Sequence, residues 1–161
     1  MKVLAVVVTH NRVELLRRCV TNLREQSRLP DGILVINNGS TDGTQAMLQA
    51  LGVECLTQEN VGSAGGWHRG IAEAEVRGYD AVWLMDDDGY ADATALAVLV
   101  SALKPGVACV SSVVLREDSA DHFVFPFPRL DTAGLPRLFA WPRKYARMDD
   151  LRAVTTDGVY P

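Results

Sequence analysis

Short apolar runs alternate with segments of helical period over the first two thirds of the chain, the pattern of a layered α/β domain whose mostly parallel central sheet is flanked by helices. Strands are predicted at Val3 to Thr9, Ile33 to Asn37, Val53 to Thr57, Ala81 to Met85 and Val107 to Val114. Between the first two, Leu16, Cys19, Val20 and Leu23 recur at i, i+3, i+4 and i+7 and form one buried helical stripe. Asn11 is its expected cap, with Glu14 completing a capping-box-like pair. A second helix is predicted from a cap at Ser40, Thr41 or Asp42 to Leu51, a third from Ala64 to Arg77 and a fourth from Ala93 to Leu103, with Gly52 and Gly78 stopping the second and third. Strand-to-helix turns of a parallel sheet all fall on one edge, so the polar loops after these strands converge there. After about Arg116 the texture changes. Pro126, Pro128, Pro136 and Pro142, interleaved with Phe123, Phe125, Phe127, Phe139 and Trp141, are expected to break regular structure while offering apolar anchors.

At 161 residues, 48% apolar and 22% charged, the chain has the composition of one globular domain with a real core. A net charge of -4 and a pI near 5.3 provide no broad attraction for nucleic acid or anionic lipid. Cys19, Cys55 and Cys109 are odd in number, widely spaced and set among apolar neighbours, which predicts buried thiols in a reducing compartment. The apolar start at Val3 to Val8 is shorter than a signal segment and runs straight into Thr9-His10-Asn11. No apolar run approaches the roughly 18 residues that span a bilayer. The expected location is therefore cytoplasmic, with any membrane contact peripheral. Oligomeric state leaves no mark on the sequence.

Chemistry concentrates in Trp83-Leu84-Met85-Asp86-Asp87-Asp88-Gly89, an apolar strand ending in three carboxylates. Adjacent negative charges repel, so a fold keeps them together most readily when a hard cation such as Mg²⁺ or Mn²⁺, or an array of donors, compensates; a solvated acidic loop is the plainer alternative. An EF-hand is excluded, because Ala97 stands where its distal glutamate would be. Asn60-Val61-Gly62-Ser63-Ala64-Gly65-Gly66 is a glycine-rich entry to a helix, where backbone N–H groups and the helix dipole suit a diphosphate, and Arg69 one turn inside can add charge. It matches neither the dinucleotide nor the Walker pattern, and by itself it reads equally well as a flexible turn. Asn37-Asn38-Gly39-Ser40-Thr41-Asp42-Gly43-Thr44 is explained in isolation by turn and cap chemistry. Thr9-His10-Asn11-Arg12 ends the first strand, with His10 more often a hydrogen-bonding residue than a ligand.

Taken in order, these four segments resemble the family-2 glycosyltransferases of the GT-A fold, which carry a V-V-T-x-N-R strand, a D-N-G-S-T-D-G-T turn, an E-N-x-G-x-A-G-G loop and an acidic D-x-D. The counterparts are Val7 to Arg12, Asn37 to Thr44, Glu59 to Gly66 and Asp86 to Asp88. The triple Asp and the Ala-Gly-Gly-Trp loop look closest to the galactofuranosyl- and rhamnosyltransferase-like branch.

The resemblance implies a nucleotide-sugar-binding half over residues 1–115 and a Pro/aromatic-rich tail over residues 116–161 that opens an incomplete acceptor-side region. It implies that Thr9, Asn11, Arg12 and Asn37 hold the nucleobase and ribose, with Asn37 departing from the family's usual Asp. Gly39 and Asp87 are counted with the nucleotide-binding residues, as are Asn60, Gly62, Gly65, Gly66 and Arg69 around the diphosphate. Asp86 would sit near ribose and metal and Asp88 would ligate the cation, Mn²⁺ or Mg²⁺. The implied reaction is inverting transfer of a sugar from a UDP- or dTDP-activated donor to a carbohydrate or lipid-linked acceptor, as in cell-wall or polysaccharide biosynthesis. No segment before Pro161 matches the family's catalytic-base motif, and Asp149-Asp150 reads as a surface helix cap, so the chain is expected to stop before the acceptor-binding portion. A catalytically inactive nucleotide-sugar and cation-binding module is the competing expectation. A receiver-like signalling domain is a further one, disfavoured because Thr9-His10-Asn11 stands where an acid pair belongs.

Overall fold

The first strand, β1 (Val3–Thr9), is buried at all 7 of its positions and divides its side chains between two cores. Ala5 and Val7 pack on one face with Leu16, Cys19, Val20 and Leu23 of helix α1 (Val13–Arg24) and with Met47 and Leu48 of α2 (Thr44–Ala50). Leu4, Val6 and Val8 pack on the other face with Leu34 and Ile36 of β2 (Gly32–Asn37) and Ala74 of α3 (Gly62–Val76). A strand covered on both faces reads as a continuous apolar run, because period two vanishes when neither face meets water. Each such buried Val or Leu contributes ~1.5–3 kcal/mol relative to exposure. The structure, a computed structural model, describes residues 1–128 and 144–152; Pro136, Phe139, Trp141 and Pro142 lie outside them.

Two compact units divide the chain, Met1–Val110 and Ser111–Pro161. The first holds a four-stranded sheet in the order β3-β2-β1-β4, with β3 at Glu54–Thr57 and β4 at Ala81–Asp86. All its pairings are parallel, with Val6 opposite both Leu34 and Leu84, and Ile36 opposite Leu56. The chain leaves β1 toward β2 and β3 and then returns to β1's other side as β4, so the strand order reverses between β1 and β4. Helix α3 reaches the sheet through small residues one turn apart: Gly66, Gly70 and Ala74 are its buried positions. A Cβ on Gly66 would meet Val8 Cγ1 at 2.6 Å, and one on Gly70 would collide with Val6 Cγ1. Helix α4 (Ala95–Ala102) closes this unit.

Several local expectations are corrected. Asn11 does not cap α1: it lies at φ 54°, and the first free N–H, that of Val13, is taken instead by Asp42 Oδ2 at 2.9 Å. The other oxygen of Asp42 accepts from Thr44 N at 3.2 Å and the Thr44 hydroxyl at 2.6 Å, so one carboxylate serves the starts of α1 and α2. Residues 107–114 form no strand and remain largely exposed, because β-branched content alone does not make a strand that has no face to bury. Of the thiols, Cys19 is buried, Cys55 half-buried and Cys109 exposed.

The second unit contains a three-stranded antiparallel sheet in the order β5 (Leu115–Arg116), β6 (Ser119–Pro128) and β7 (Lys144–Arg147), followed by α5 (Met148–Arg152). Contrary to the expectation of irregular structure, β6 runs through Pro126 and Pro128. Both prolines lie beyond Val124, whose N–H donates to Val114 O, so they fall where the β5 side no longer demands a donor. Phe123 and Phe127 meet edge to face at 5.2 Å.

Replacing Gly70 with Ala sets a gain in helix propensity of about 1 kcal/mol against overpacking on the stiff Val6 side chain at ~1–3 kcal/mol. Overpacking dominates when backbone cannot retreat from a buried strand. Gly70→Ala is expected to lower unfolding free energy by about 1–2 kcal/mol in a urea titration; an unchanged or raised midpoint contradicts the close α3–sheet contact.

Candidate functional site

A parallel sheet leaves a crevice outside its carboxyl edge where the strand order reverses, and here that is the gap between the ends of β1 and β4. Thr9 closes β1, and the acidic turn follows β4 directly. The middle acid, Asp87, turns inward and is 3% exposed. Its Oδ2 accepts the Thr9 hydroxyl at 2.6 Å and its Oδ1 faces Arg12 Nη1 at 3.2 Å. The same Arg12 nitrogen lies 3.1 Å from Asp88 Oδ2. Asp86 and Asp88 remain exposed on either side of this buried tether. Around them opens a cleft of about 430 Å³, bounded across from the acids by Asn60 and Ser63 at the start of α3.

The segment after the acids is pinned by two amides, Asn22 in α1 and Gln26 just beyond its end. Asn22 exchanges both its hydrogen bonds with the backbone of Ala91, each at 2.9 Å, as a neighbouring strand would. Gln26, 4% exposed, donates to Asp92 O at 2.8 Å and accepts from Leu96 N at 3.1 Å. Arg18 lies over the Tyr90 ring at 4.3 Å. Cys19 packs behind the turn with its Sγ 3.8 Å from Asp86 O; burial first, then the Asp87 and Asp88 charges, pushes its thiol up to about 12, so it is a neutral packing group.

On the opposite wall, Asn38 ties the β2 turn to α3: its Nδ2 donates to Gly62 O at 3.0 Å and its Oδ1 accepts from Gln58 Nε2 at 2.8 Å. Asn60 Oδ1 takes the Gly62 N–H at 3.0 Å, and Gly62 lies at φ 77°. The next N–H groups, of Ser63, Ala64 and Gly65, belong to the first turn of a 15-residue helix, whose dipole favours an anion. Gly39 lies at φ 71°, and a Cβ there would stand 3.4 Å from Gln58 O.

Six residues singled out from the sequence line the cleft: Thr9, Arg12, Asn60, Asp86, Asp87 and Asp88. Asn11 and Asn37 are engaged elsewhere, accepting from Thr41 N at 2.7 Å and Ser40 N at 2.8 Å, with Asn37 1% exposed. Gly39, Gly62 and Gly65 shape the walls without lining the cleft, and Gly66 packs on Val8. Arg69 turns to Gln58 Oε1 at 3.4 Å rather than into the cleft. Four lining residues were not singled out as site residues: Val8, His10, Asn38 and Ser63. His10 Nδ1 is 2.7 Å from Asn38 O, and both stand at strand ends, the signal that could have found them. In the second unit, Asp150 Oδ2 accepts the N–H groups of Ala146 and Arg147, each at 3.2 Å.

Electrostatics single out Asp86. Partial burial of its carboxyl first, then the Asp88 and Asp87 charges, hold it above the ordinary range, and Arg12 offsets only part of this. The fold therefore disfavours ionised Asp86 and gains relative stability as pH falls through the raised value. Arg12 is correspondingly raised, first by Asp87. Among the described residues no group of three or more His, Cys, Asp and Glu forms a metal cage. Two exposed carboxylates and an anion-binding helix start nevertheless suit Mg²⁺ or Mn²⁺ of the kind that keeps waters and substrate phosphates as its remaining ligands.

A family model described as glycosyl transferase family 2 matches residues 4–155. Galactofuranosyltransferase GlfT1 of Mycobacterium tuberculosis is 38% identical over 134 residues, covering 79% of this chain and 44% of that protein. Its namesake in Mycolicibacterium smegmatis is 36% identical over 132 residues, with the same coverage of 79% and 44%. The chain thus spans less than half the length of these curated relatives. Among solved structures, S. aureus TarS 1-349 in complex with UDP aligns with a TM-score of 0.52 at 19% identity, over 63% of this chain and 31% of that one, a likeness of fold.

Thr9→Val keeps the shape of Thr9 and removes the hydroxyl that satisfies buried Asp87. Its expected cost is about 1–3 kcal/mol in urea unfolding; a loss below about 0.5 kcal/mol, the level of an ordinary surface substitution, contradicts the tether.

Proposed function

This chain belongs to glycosyl transferase family 2 and carries its GT-A fold, and from that premise we propose that it is the donor-binding part of an inverting enzyme. The sugar moves from a UDP- or dTDP-activated donor to a carbohydrate or lipid-linked acceptor. The observation that carries the reading is that the Asp86–Asp88 turn and the first turn of α3 border one cleft at the strand-order reversal. A dianionic pyrophosphate linked to a cation needs both: carboxylates for the metal and N–H donors for the phosphate oxygens. The relatives named galactofuranosyltransferases support sugar transfer as the reaction.

In this reading Asp88, with Asp86, would hold Mn²⁺ or Mg²⁺, which would supply neutralisation of the charge growing on the departing nucleoside diphosphate. Ser63 and the N–H groups behind it take the phosphate oxygens opposite the acids. Asp87 acts through Thr9 and Arg12 to fix the direction in which Asp86 and Asp88 project. Nucleobase and ribose lie toward the end of β1 and the β2 turn, where Thr9 and Arg12 line the cleft and Asn11, Asn37 and Gly39 shape the turn behind them. An acceptor hydroxyl attacks the anomeric carbon from the side opposite the diphosphate, its proton passing to a carboxylate base.

The adjacent acids then respond differently to one-atom changes. Asp88→Asn is expected to weaken Mn²⁺-dependent UDP or dTDP binding at least about tenfold, or 1.4 kcal/mol, by calorimetry, with little change in melting temperature. Asp87→Asn is expected to lower the melting temperature. Equal small effects on binding, or no Mn²⁺-dependent binding of either nucleotide by the wild type, contradict the reading.

A further inference from the structure

In this structure two of the three carboxylates already have a cation. One guanidinium nitrogen, Nη1 of Arg12, bridges Asp87 Oδ1 at 3.2 Å and Asp88 Oδ2 at 3.1 Å. The two halves of the bridge are unlike. The Asp87 side chain is 5% exposed and held by Thr9, whereas that of Asp88 is 54% exposed and Arg12's own is 51% exposed. An exposed ion pair made through a single nitrogen is weak and exchanges readily with solvent ions. The buried half stays put, because breaking it would strand Asp87 away from water.

We propose that Arg12 is an internal competitor of the divalent cation for Asp88, a built-in counter-ion that suppresses cation binding in the absence of donor. The inference rests on the donor-site reading above. A divalent ion at Asp88 must break the outer half of the bridge and then stand beside a positive charge anchored at Asp87. A bound diphosphate removes the penalty by bringing new negative charge into the cleft. Cation and nucleotide are therefore coupled through Arg12, and by linkage each raises the affinity for the other by the same factor. The sequence shows only an Arg after the first strand; the competition becomes visible when the β1 and β4 ends are brought together.

The test is titration of the full 161-residue chain with Mn²⁺ alone, free Mn²⁺ being read by its electron paramagnetic resonance signal, and repeated with saturating UDP. Arg12→Gln is expected to bind Mn²⁺ alone about three- to tenfold more tightly than wild type, the order of a lost exposed ion pair and its repulsion. It also reduces the factor by which UDP strengthens Mn²⁺ binding. Arg17→Gln is the charge control: it makes the same net change on α1, and Arg17 contacts Glu14 at 3.5 Å rather than the acids. It is expected to change affinity by less than about twofold, as a solvent-screened charge does. Adding Asp88→Asn to Arg12→Gln abolishes the gain. Equal Mn²⁺ affinity in wild type and Arg12→Gln, or an equal gain in Arg17→Gln, overturns the proposal and leaves the donor site standing. A wild type that binds no Mn²⁺ even with UDP overturns both. Should Arg12→Gln fail to fold, the wild type carries the test by nitrogen NMR of arginine side chains: saturating Mg²⁺ alone must shift the Arg12 signal, and an unmoved signal overturns the proposal.

Discussion

Three carboxylates in sequence cannot all face a low-dielectric interior or one another without compensation, and the end of β4 is built around that constraint. The chain resolves it by separating them. Asp87 turns inward to a hydroxyl and a guanidinium supplied by the end of β1, while Asp86 and Asp88 stay exposed. The charge of the buried member joins the two strands that flank the reversal in strand order, and its neighbours are left at the cleft. Asn22 of α1 and Gln26 just past its end complete the arrangement by holding the backbone beyond the acids to the helix already locked to β1 through the core.

The same strand sets the opposite wall. Val6 and Val8 of β1 are the residues that Gly70 and Gly66 of α3 approach too closely for any side chain. The glycines in this helix therefore do two kinds of work. Gly62 begins the helix with a positive φ that few residues adopt, whereas Gly66 and Gly70 set the depth at which the helix lies on the sheet. Asn38 then fixes the helix start against the β2 turn. A cleft lined by the acids and by the start of α3 thus follows from packing around one fully buried strand.

Much of this was legible in the sequence because its signals are local. The stripe Leu16, Cys19, Val20 and Leu23 and the uniform burial of Val3 to Thr9 are periodicities, and the acidic turn announces itself by adjoining an apolar strand. What was not legible depends on contacts distant in sequence. Asp42, not Asn11, satisfies the start of α1, across 29 positions. The apolar stretch 107–114 looks like a strand until the lack of a burying partner decides otherwise. Pro126 and Pro128 sit in β6 because of where its neighbour's pairing ends. At the site, His10, Asn38 and Ser63 are ordinary turn residues by composition; only the order β3-β2-β1-β4 brings them opposite the acids.

The central claim is spatial: cation and diphosphate meet between the acidic turn and the first turn of α3. Crystals of the chain soaked with Mn²⁺ and UDP, with diffraction recorded near the manganese absorption edge, test it most directly. The account predicts one strong anomalous peak within coordination distance of Asp88, with the diphosphate between it and Ser63. A nucleotide bound with no manganese at the acids, or manganese bound away from the end of β4, would contradict it.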